Sequence, residues 1–360
     1  MNTKIVTIQG QGDAFSDEEE RALQEAGEIL RGGGLVAFPT ETVYGLGGDA
    51  FNPASARKIY AAKGRPSDNP LIVHIARLED MDRVAGQVPE AARQLGRAFW
   101  PGPLTMVLPR ARNVPVEITG GLETVAVRMP SHPVARSLIA CGGGYIAAPS
   151  ANLSGRPSPT SARYVIEDMD GRIDMIIDGG DGEIGLESTI VDLTVDPPQI
   201  LRPGFITQEM LAEVLGRVGL DRTVLDADSG QAPRAPGMKY RHYAPRGEMT
   251  IVSGQTAEVT AYVNAHAAQD CAQGHKVGVI GTDETLPEYR ADLVCSLGSR
   301  RDEESIARHL YGILRRFDDE QVTRIYSECF DTMGLGQAIM NRLLKAAGHR
   351  LVVLSGNRER

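Results

Sequence analysis

Apolar residues recur at helical spacing near the N-terminus, where Ala22, Leu23, Ala26, Ile29 and Leu30 fall on one face. Ser16 and Glu19 precede that face as a capping box, and glycines 32–34 follow it, so the pattern predicts a helix between them. The apolar run 35–38 ends at Pro39 and predicts a strand feeding a loop. Further short apolar runs predict strands over 71–75, 104–108, 124–128, 145–148, 174–177 and 189–193. Helical patterns occupy 54–62, 89–99 and 133–141 between them. Alternating helices and buried strands imply an α/β fold around an open sheet. Several connections are too short for a helical crossover, so the sheet is expected to be mixed.

The pattern stops at 226–245, a stretch rich in Pro, Gly, Asp and Arg with no apolar periodicity, which reads as a linker. It then restarts, with strands expected over 249–252, 276–280, 293–296 and 324–327. Helices are expected over 258–270, 303–318 and 337–347. Ile306, Leu310, Ile313, Leu314 and Phe317 give one of these helices a clear apolar face. The expected organisation is a catalytic α/β domain over 1–225, a linker or lid over 226–245, and a small Rossmann-like α/β domain over 246–360.

Composition narrows the function classes. The 360 residues carry a net charge of −9, with 42% hydrophobic and 24% charged residues, an ordinary globular balance. The charge is uneven: residues 1–232 sum to −10 and residues 233–360 to +1. An acidic first part weighs against a large phosphate footprint, so no stable nucleic-acid complex is expected. Cys141, Cys271, Cys295 and Cys329 are scattered without a C-x-x-C, which suggests a reducing compartment and neither a disulfide framework nor a zinc site. Residues 137–155 are uncharged over the length of a membrane span. Their glycines, Pro149, Ser150 and Asn152 make them a poor one, so no membrane association and a cytoplasmic location are expected.

No phosphate-binding P-loop, H-E-x-x-H or G-x-S-x-G is present, and Gly334-Leu-Gly336 is only half a dinucleotide fingerprint. Five other blocks stand out. Pro39-Thr-Glu-Thr-Val-Tyr-Gly-Leu-Gly47 places hydroxyls and a carboxylate just after a buried strand, where open α/β sheets bind ligands. Lys63-Gly-Arg65 puts two cations in a loop that also offers Ser67 and Asn69, in a chain with six lysines against 32 arginines. Such a loop suits phosphate or carboxylate oxygens. His74 lies inside the next strand, where an ordinary satisfied core histidine is the competing reading. Ala147-Ala-Pro-Ser-Ala-Asn-Leu-Ser154 ends a buried strand in small, hydroxyl- and amide-bearing residues, better suited to a nucleotide or acyl phosphate than to a nucleophile. Arg128, Ser188 and Arg202 add cationic and hydroxyl stations at strand ends. The linker block Pro236-Gly-Met-Lys-Tyr-Arg-His-Tyr-Ala-Pro245 carries cations and rings that a plain tether would lack.

Together these blocks resemble the L-threonylcarbamoyladenylate synthase family, with its YrdC-like catalytic domain, in the long two-domain form. The matching residues are Phe38–Gly47, Lys63-x-Arg65, Asp68–His74, Trp100–Thr105, Val125–Pro130, Ala148–Asn152, Glu187–Ile190, Leu201–Gly204, the linker block, and Gly334-x-Gly-x-Ala-Ile-Met-Asn-Arg342. The resemblance implies a YrdC-like open twisted mixed sheet. It also implies a nucleotidyltransferase that joins L-threonine, bicarbonate or CO₂, and ATP into L-threonylcarbamoyl-AMP and pyrophosphate. A separate tRNA threonylcarbamoyl transferase would then modify adenosine 37 of tRNAs reading ANN codons, with transient contact at most. By matching position, Lys63, Arg65, Ser150 and Asn152 are the catalytic set. Thr42, His74, Arg128, Ala148 and Ser188 would hold L-threonine. Arg65, Asn69, Thr124, Ser150, Ser158, Arg202, Tyr240, His242 and Tyr243 would hold ATP, with Mg²⁺ as its companion ion and no protein metal site. Two other classes stay open from sequence: another carbamoyltransferase of the same domain family, and an RNA-binding module.

Overall fold

The computed structural model describes residues 2–10, 14–221, 224 and 243–354, in two compact units. The first comprises Met1–Ser154 and Ser158–Tyr240, the second Gly155–Pro157 and Arg241–Arg360. The expected linker over 226–245 lies, apart from its last three residues, outside the described residues. Among the described residues no helix is long and apolar enough to cross a membrane.

The first unit is a mixed sheet with helices on it. Its strands are β1 (Lys4–Thr7), β2 (Val36–Phe38), β3 (Gly45–Asp49), β4 (Ile72–Ile75), β5 (Leu104–Pro109), β6 (Thr124–Arg128), β7 (Tyr145–Ala148), β8 (Met175–Asp178), β9 (Thr189–Asp192), β10 (Gln199–Arg202) and β11 (Gly219–Leu220). They run in the order β1-β8-β2-β3-β7-β4-β6-β5-β9-β10-β11. Parallel and antiparallel pairs alternate irregularly, as the short connections require: β4 pairs with β6 in parallel and with β7 antiparallel. The main helices are α1 (Asp17–Arg31), α2 (Pro53–Lys63), α3 (Met81–Val84), α4 (Glu90–Phe99), α5 (Pro133–Cys141), α6 (Ala162–Met169) and α7 (Gln208–Leu215).

Local chemistry sets the helix ends. At α1 the Ser16 side chain accepts from Glu19 N while Glu19 Oε2 accepts from Ser16 N at 2.9 Å, so two orphan donors are satisfied reciprocally. Those bonds, with others from Gln9 and Gly10, hold the Glu19 carboxyl down to about 2. Helix α2 starts at an Asn52 cap with Pro53 in its first turn and stops at Gly64, whose φ of 61° a side chain would strain. Alternate residues of the strands point to opposite faces. Ala37, Tyr145, Ala147, Val73 and Val127 enter a large apolar core on one face. Val36, Phe38, Ile146 and Ala148 enter a second core with Leu23 and Leu30 of α1 and Val134 and Leu138 of α5. Beyond α5 that second face carries only a small apolar group, Ile72, Val107, Ala126, Ile190 and Leu201.

The second unit has five strands: β12 (Glu248–Ser253), β13 (Val277–Gly281), β14 (Leu293–Ser296), β15 (Arg324–Glu328) and β16 (Leu351–Val353). They pair in parallel throughout, in the order β14-β13-β15-β12-β16. Helices α8 (Thr256–Ala272), α9 (Glu303–Asp319) and α10 (Gly334–Ala346) complete it. Within this unit the fully buried Arg315 donates from Nε and Nη2 to the carbonyl of Pro157, at 3.0 and 2.6 Å.

Helix α1 lies so close to α5 that a Cβ on Gly27 would sit 2.6 Å from the carbonyl carbon and oxygen of Cys141. Alanine at that helical position should gain about 1 kcal/mol of propensity. The backbone clash should cost more, by the ~1–3 kcal/mol of overpacking, so Gly27→Ala is expected to lower the urea midpoint of the full chain without changing the slope.

Candidate active site

Sheet register, more than sequence proximity, gathers the predicted residues. His74 pairs across β4–β6 with Arg128, and Arg128 pairs across β6–β5 with Thr105. Thr105 pairs in turn with Ile190 of β9, and Ile190 with Arg202 of β10 across a bulge. Directly paired residues share a face, so His74, Arg128, Thr105 and Arg202 stand in a row across four strand pairs. Ala148 joins the same face through Ile72, and Ser188 lies two residues before Ile190. This is the face with the small apolar floor of Ile72, Val107, Ala126, Ile190 and Leu201. Along β6 the same face shows Arg128, Ala126 and Thr124, a strip of roughly 13 Å at the rise of a strand.

The row is hydrogen-bonded tightly. Ser188 Oγ and Thr105 Oγ1 lie 2.7 Å apart, and Arg202 donates to Ser188 O at 3.0 Å and to Ser188 Oγ at 3.2 Å. Thr42 is fully buried, its Oγ1 2.9 Å from Thr40 Oγ1, which donates to Val43 O. His74 is buried, and its Nδ1 lies 3.1 Å from Ile72 O. Burial first, and then the Arg128 charge, push its imidazole down to about 3, so the ring is neutral near pH 7. The core-histidine reading is partly right: the ring packs edge-on to Phe38 at 6.1 Å while facing Arg128's row.

Arg128 brings in a residue that sequence reasoning did not single out as a site residue. Its Nη2 lies 2.6 Å from Glu41 Oε1, with both side chains 5% exposed. Neither oxygen of Glu41 nor Nη2 of Arg128 reaches hydrogen-bond geometry with any group. A buried charged pair with unused hydrogen-bonding atoms costs desolvation energy that the pair alone offsets poorly. A ligand with its own carboxylate and amine would use those atoms. The sequence held Glu41 within the block Pro39–Gly47, but nothing in it pointed to Arg128 as partner.

The second cluster is built around Lys63, the last residue of α2. Its Nζ donates to the carbonyls of Ser150 and Asn152, and lies 3.5 Å from Asn152 Oδ1. Ser150 Oγ donates to that same Oδ1 at 2.5 Å. Backbone bonds fix the loop further: Leu46 N to Pro149 O, Ala151 N to Tyr44 O, and Ser154 N to Lys63 O. Lys63 therefore shapes the Ser150–Asn152 loop as well as charging it. Arg65 donates to Pro70 O at 3.2 Å, and Asn69, 1% exposed, has no partner for its Oδ1. Ser158 donates to Glu187 Oε1 at 2.6 Å. Tyr240 and His242 lie outside the described residues. Tyr243 belongs to the second unit, where its buried ring packs 5.2 Å from Tyr311 with the Arg342 guanidinium 6.0 Å away.

Comparison with known proteins places the chain in a family. Residues 28–204 match the family described as telomere recombination, and residues 206–348 match the threonylcarbamoyl-AMP synthase C-terminal domain. The chain is 49% identical over 334 residues to threonylcarbamoyl-AMP synthase of Pyrococcus abyssi, covering 93% of this chain and 96% of that protein. It is 48% identical over 332 residues to the Bacillus subtilis protein of that name, covering 92% and 94%. The crystal structure of P. abyssi Sua5 complexed with L-threonine superposes with a TM-score of 0.91 at 45% identity, covering 98% of this chain and all of that one. Relatives of that name thus match both units at high identity, and the chain belongs to the threonylcarbamoyl-AMP synthase family.

Proposed function

We propose that this enzyme joins L-threonine, bicarbonate or CO₂, and ATP into L-threonylcarbamoyl-AMP and pyrophosphate, within the domain 1–225. The observation that carries the reading is the row on one sheet face, which sets the incompletely bonded Arg128–Glu41 pair beside a neutral His74. Arg128 takes the α-carboxylate of L-threonine, with Thr42 and Ser188 beside it, and His74 and Ala148 complete the pocket. A carboxylate held by Arg128 is not free to attack phosphorus. The nucleophile is therefore built on the nitrogen: the ammonium loses one proton to solvent, the amine bonds to the carbon of CO₂ and loses a second proton to solvent, and a carbamate that keeps one N–H forms. A carbamate oxygen then attacks the α-phosphate and pyrophosphate leaves.

No protein nucleophile is needed, because positioning and charge stabilisation carry phosphoryl chemistry of this kind. Lys63, Arg65, Ser150 and Asn152 surround the reacting phosphate and carbamate. Asn69, Thr124, Ser158 and Arg202 bind the nucleotide. Among the described residues no group of three His, Cys, Asp or Glu side chains could hold a metal. Lys63, Arg65, Ser150 and Asn152 are cationic or neutral, so they would leave Mg²⁺ to be held chiefly by the nucleotide itself. Bound there it would neutralise phosphate charge. The product would serve a separate transferase that modifies adenosine in tRNA, in the cytoplasm.

Pyrophosphate release should require both L-threonine and bicarbonate, and should fall sharply when L-serine or L-valine replaces L-threonine. Release without bicarbonate, or none under any combination, would overturn the reading. Arg128→Gln should raise the KM for L-threonine by about 30-fold, the ~2 kcal/mol of a buried charge-assisted pair. It should also cost ~3 kcal/mol of stability by stranding Glu41, and Arg128→Gln with Glu41→Gln together should restore much of that stability but not the KM.

A further inference from the structure

The second unit contains a cavity that the reaction above does not use. It lies outside the carboxyl ends of the neighbouring parallel strands β12 and β15, the place where open parallel sheets receive ligands. Its volume is about 110 Å³. Pockets that hold drug-sized ligands start at ~300 Å³, so only a molecule of a few heavy atoms fits.

The walls carry both signs of charge and one apolar side. Glu328, the last residue of β15, is buried, and its Oε1 accepts from the hydroxyls of Tyr289, at 2.7 Å, and of Thr285. Its Oε2 faces Arg300, which also donates to Cys329 O at 3.2 Å and lies 5.3 Å over the Phe330 ring. Burial and the Glu328 charge keep the Tyr289 hydroxyl protonated. Four groups thus hold one buried carboxylate against one part-exposed guanidinium at a strand end. Val252 and Val259 form the apolar side, and Thr256 adds a hydroxyl at the start of α8. Gln255 gives that helix no side-chain cap.

We propose that this cavity binds a small zwitterion, an α-amino acid with a short side chain, between Arg300 and Glu328. The pair is neutral in sum, so a ligand of net charge would leave one wall uncompensated, whereas a zwitterion completes both. The ligand's carboxylate lies on Arg300 and Thr256, its ammonium on Glu328 Oε2, and its side chain on Val252 and Val259. The site belongs wholly to the second unit, and the inference stands whether or not the reaction proposed above is correct.

Cys329 lines the cavity and reports on it. The test is the rate at which iodoacetamide alkylates Cys329 in the full chain, read by peptide mass spectrometry. Glycine, L-alanine, L-serine and L-threonine are added singly, with acetate, methylamine and inorganic phosphate as single-charge controls. Exposed Cys271 and buried Cys295 serve as internal references. At twice its Kd a bound amino acid should slow Cys329 by about threefold, following 1 + [L]/Kd, with Cys271 unchanged. The controls should not protect, and Arg300→Gln should lose the protection while Cys295 stays slow, showing that the variant is folded. The proposal is overturned if no amino acid protects, if acetate or phosphate protects as well, or if protection survives in the folded Arg300→Gln variant.

Discussion

The site depends on the register between β4 and β6. A slip of one residue in β6 would turn Arg128 into the large apolar core and Val127 out of it, and the same slip in β4 would do this to His74 and Val73. The fold guards that register from both sides. Val73 and Val127 bury apolar surface on one face, and Ile72 and Ala126 form the floor on the other. The same alternation that packs the sheet therefore aims the chemistry, so the site is as rigid as the core beneath it.

Electrostatics explains why such a rigid site still has work left for a ligand. Most buried polar groups of the row satisfy one another, as Ser188 does with Thr105 and Arg202. Arg128 and Glu41 approach closely without completing a hydrogen bond. Low exposure makes that incompleteness costly. An amino acid supplies one anion and one cation, so in the proposed pose its binding would relieve the deficit of both partners together. The neutral His74 adds no charge that competes with Arg128.

Local chemistry made much of this readable from the amino acids. The Ser16–Glu19 capping box and the periodic face behind it correspond to α1, and the apolar runs correspond to β4 to β7 within a residue or two. The misses have physical causes. Strand β3 is Gly45-Leu-Gly-Gly-Asp49, which has little strand propensity and exists because β2 and β7 flank it. Its glycines read as a loop, yet side chains at 45 and 47 would meet Phe38 and Ile146. Strands β10, β11 and β16 are short and lie at or near sheet edges, with weak periodicity. The Lys63 block and the Ser150–Asn152 block were each visible as donor-rich loops. Their union through Nζ joins residues nearly ninety positions apart, and the Glu41–Arg128 pair likewise arises only on folding.

The central claim is that Arg128 occupies the amino acid's carboxylate, so the nucleophile toward ATP is a carbamate made on its nitrogen. Mass spectrometry of the adenylate formed from L-threonine, ATP and ¹³C-labelled bicarbonate tests this most directly. The expected product is an adenylate containing threonine and the labelled carbon. An adenylate of threonine without the label would mean that the carboxylate itself attacks phosphorus, and would contradict the role given to Arg128.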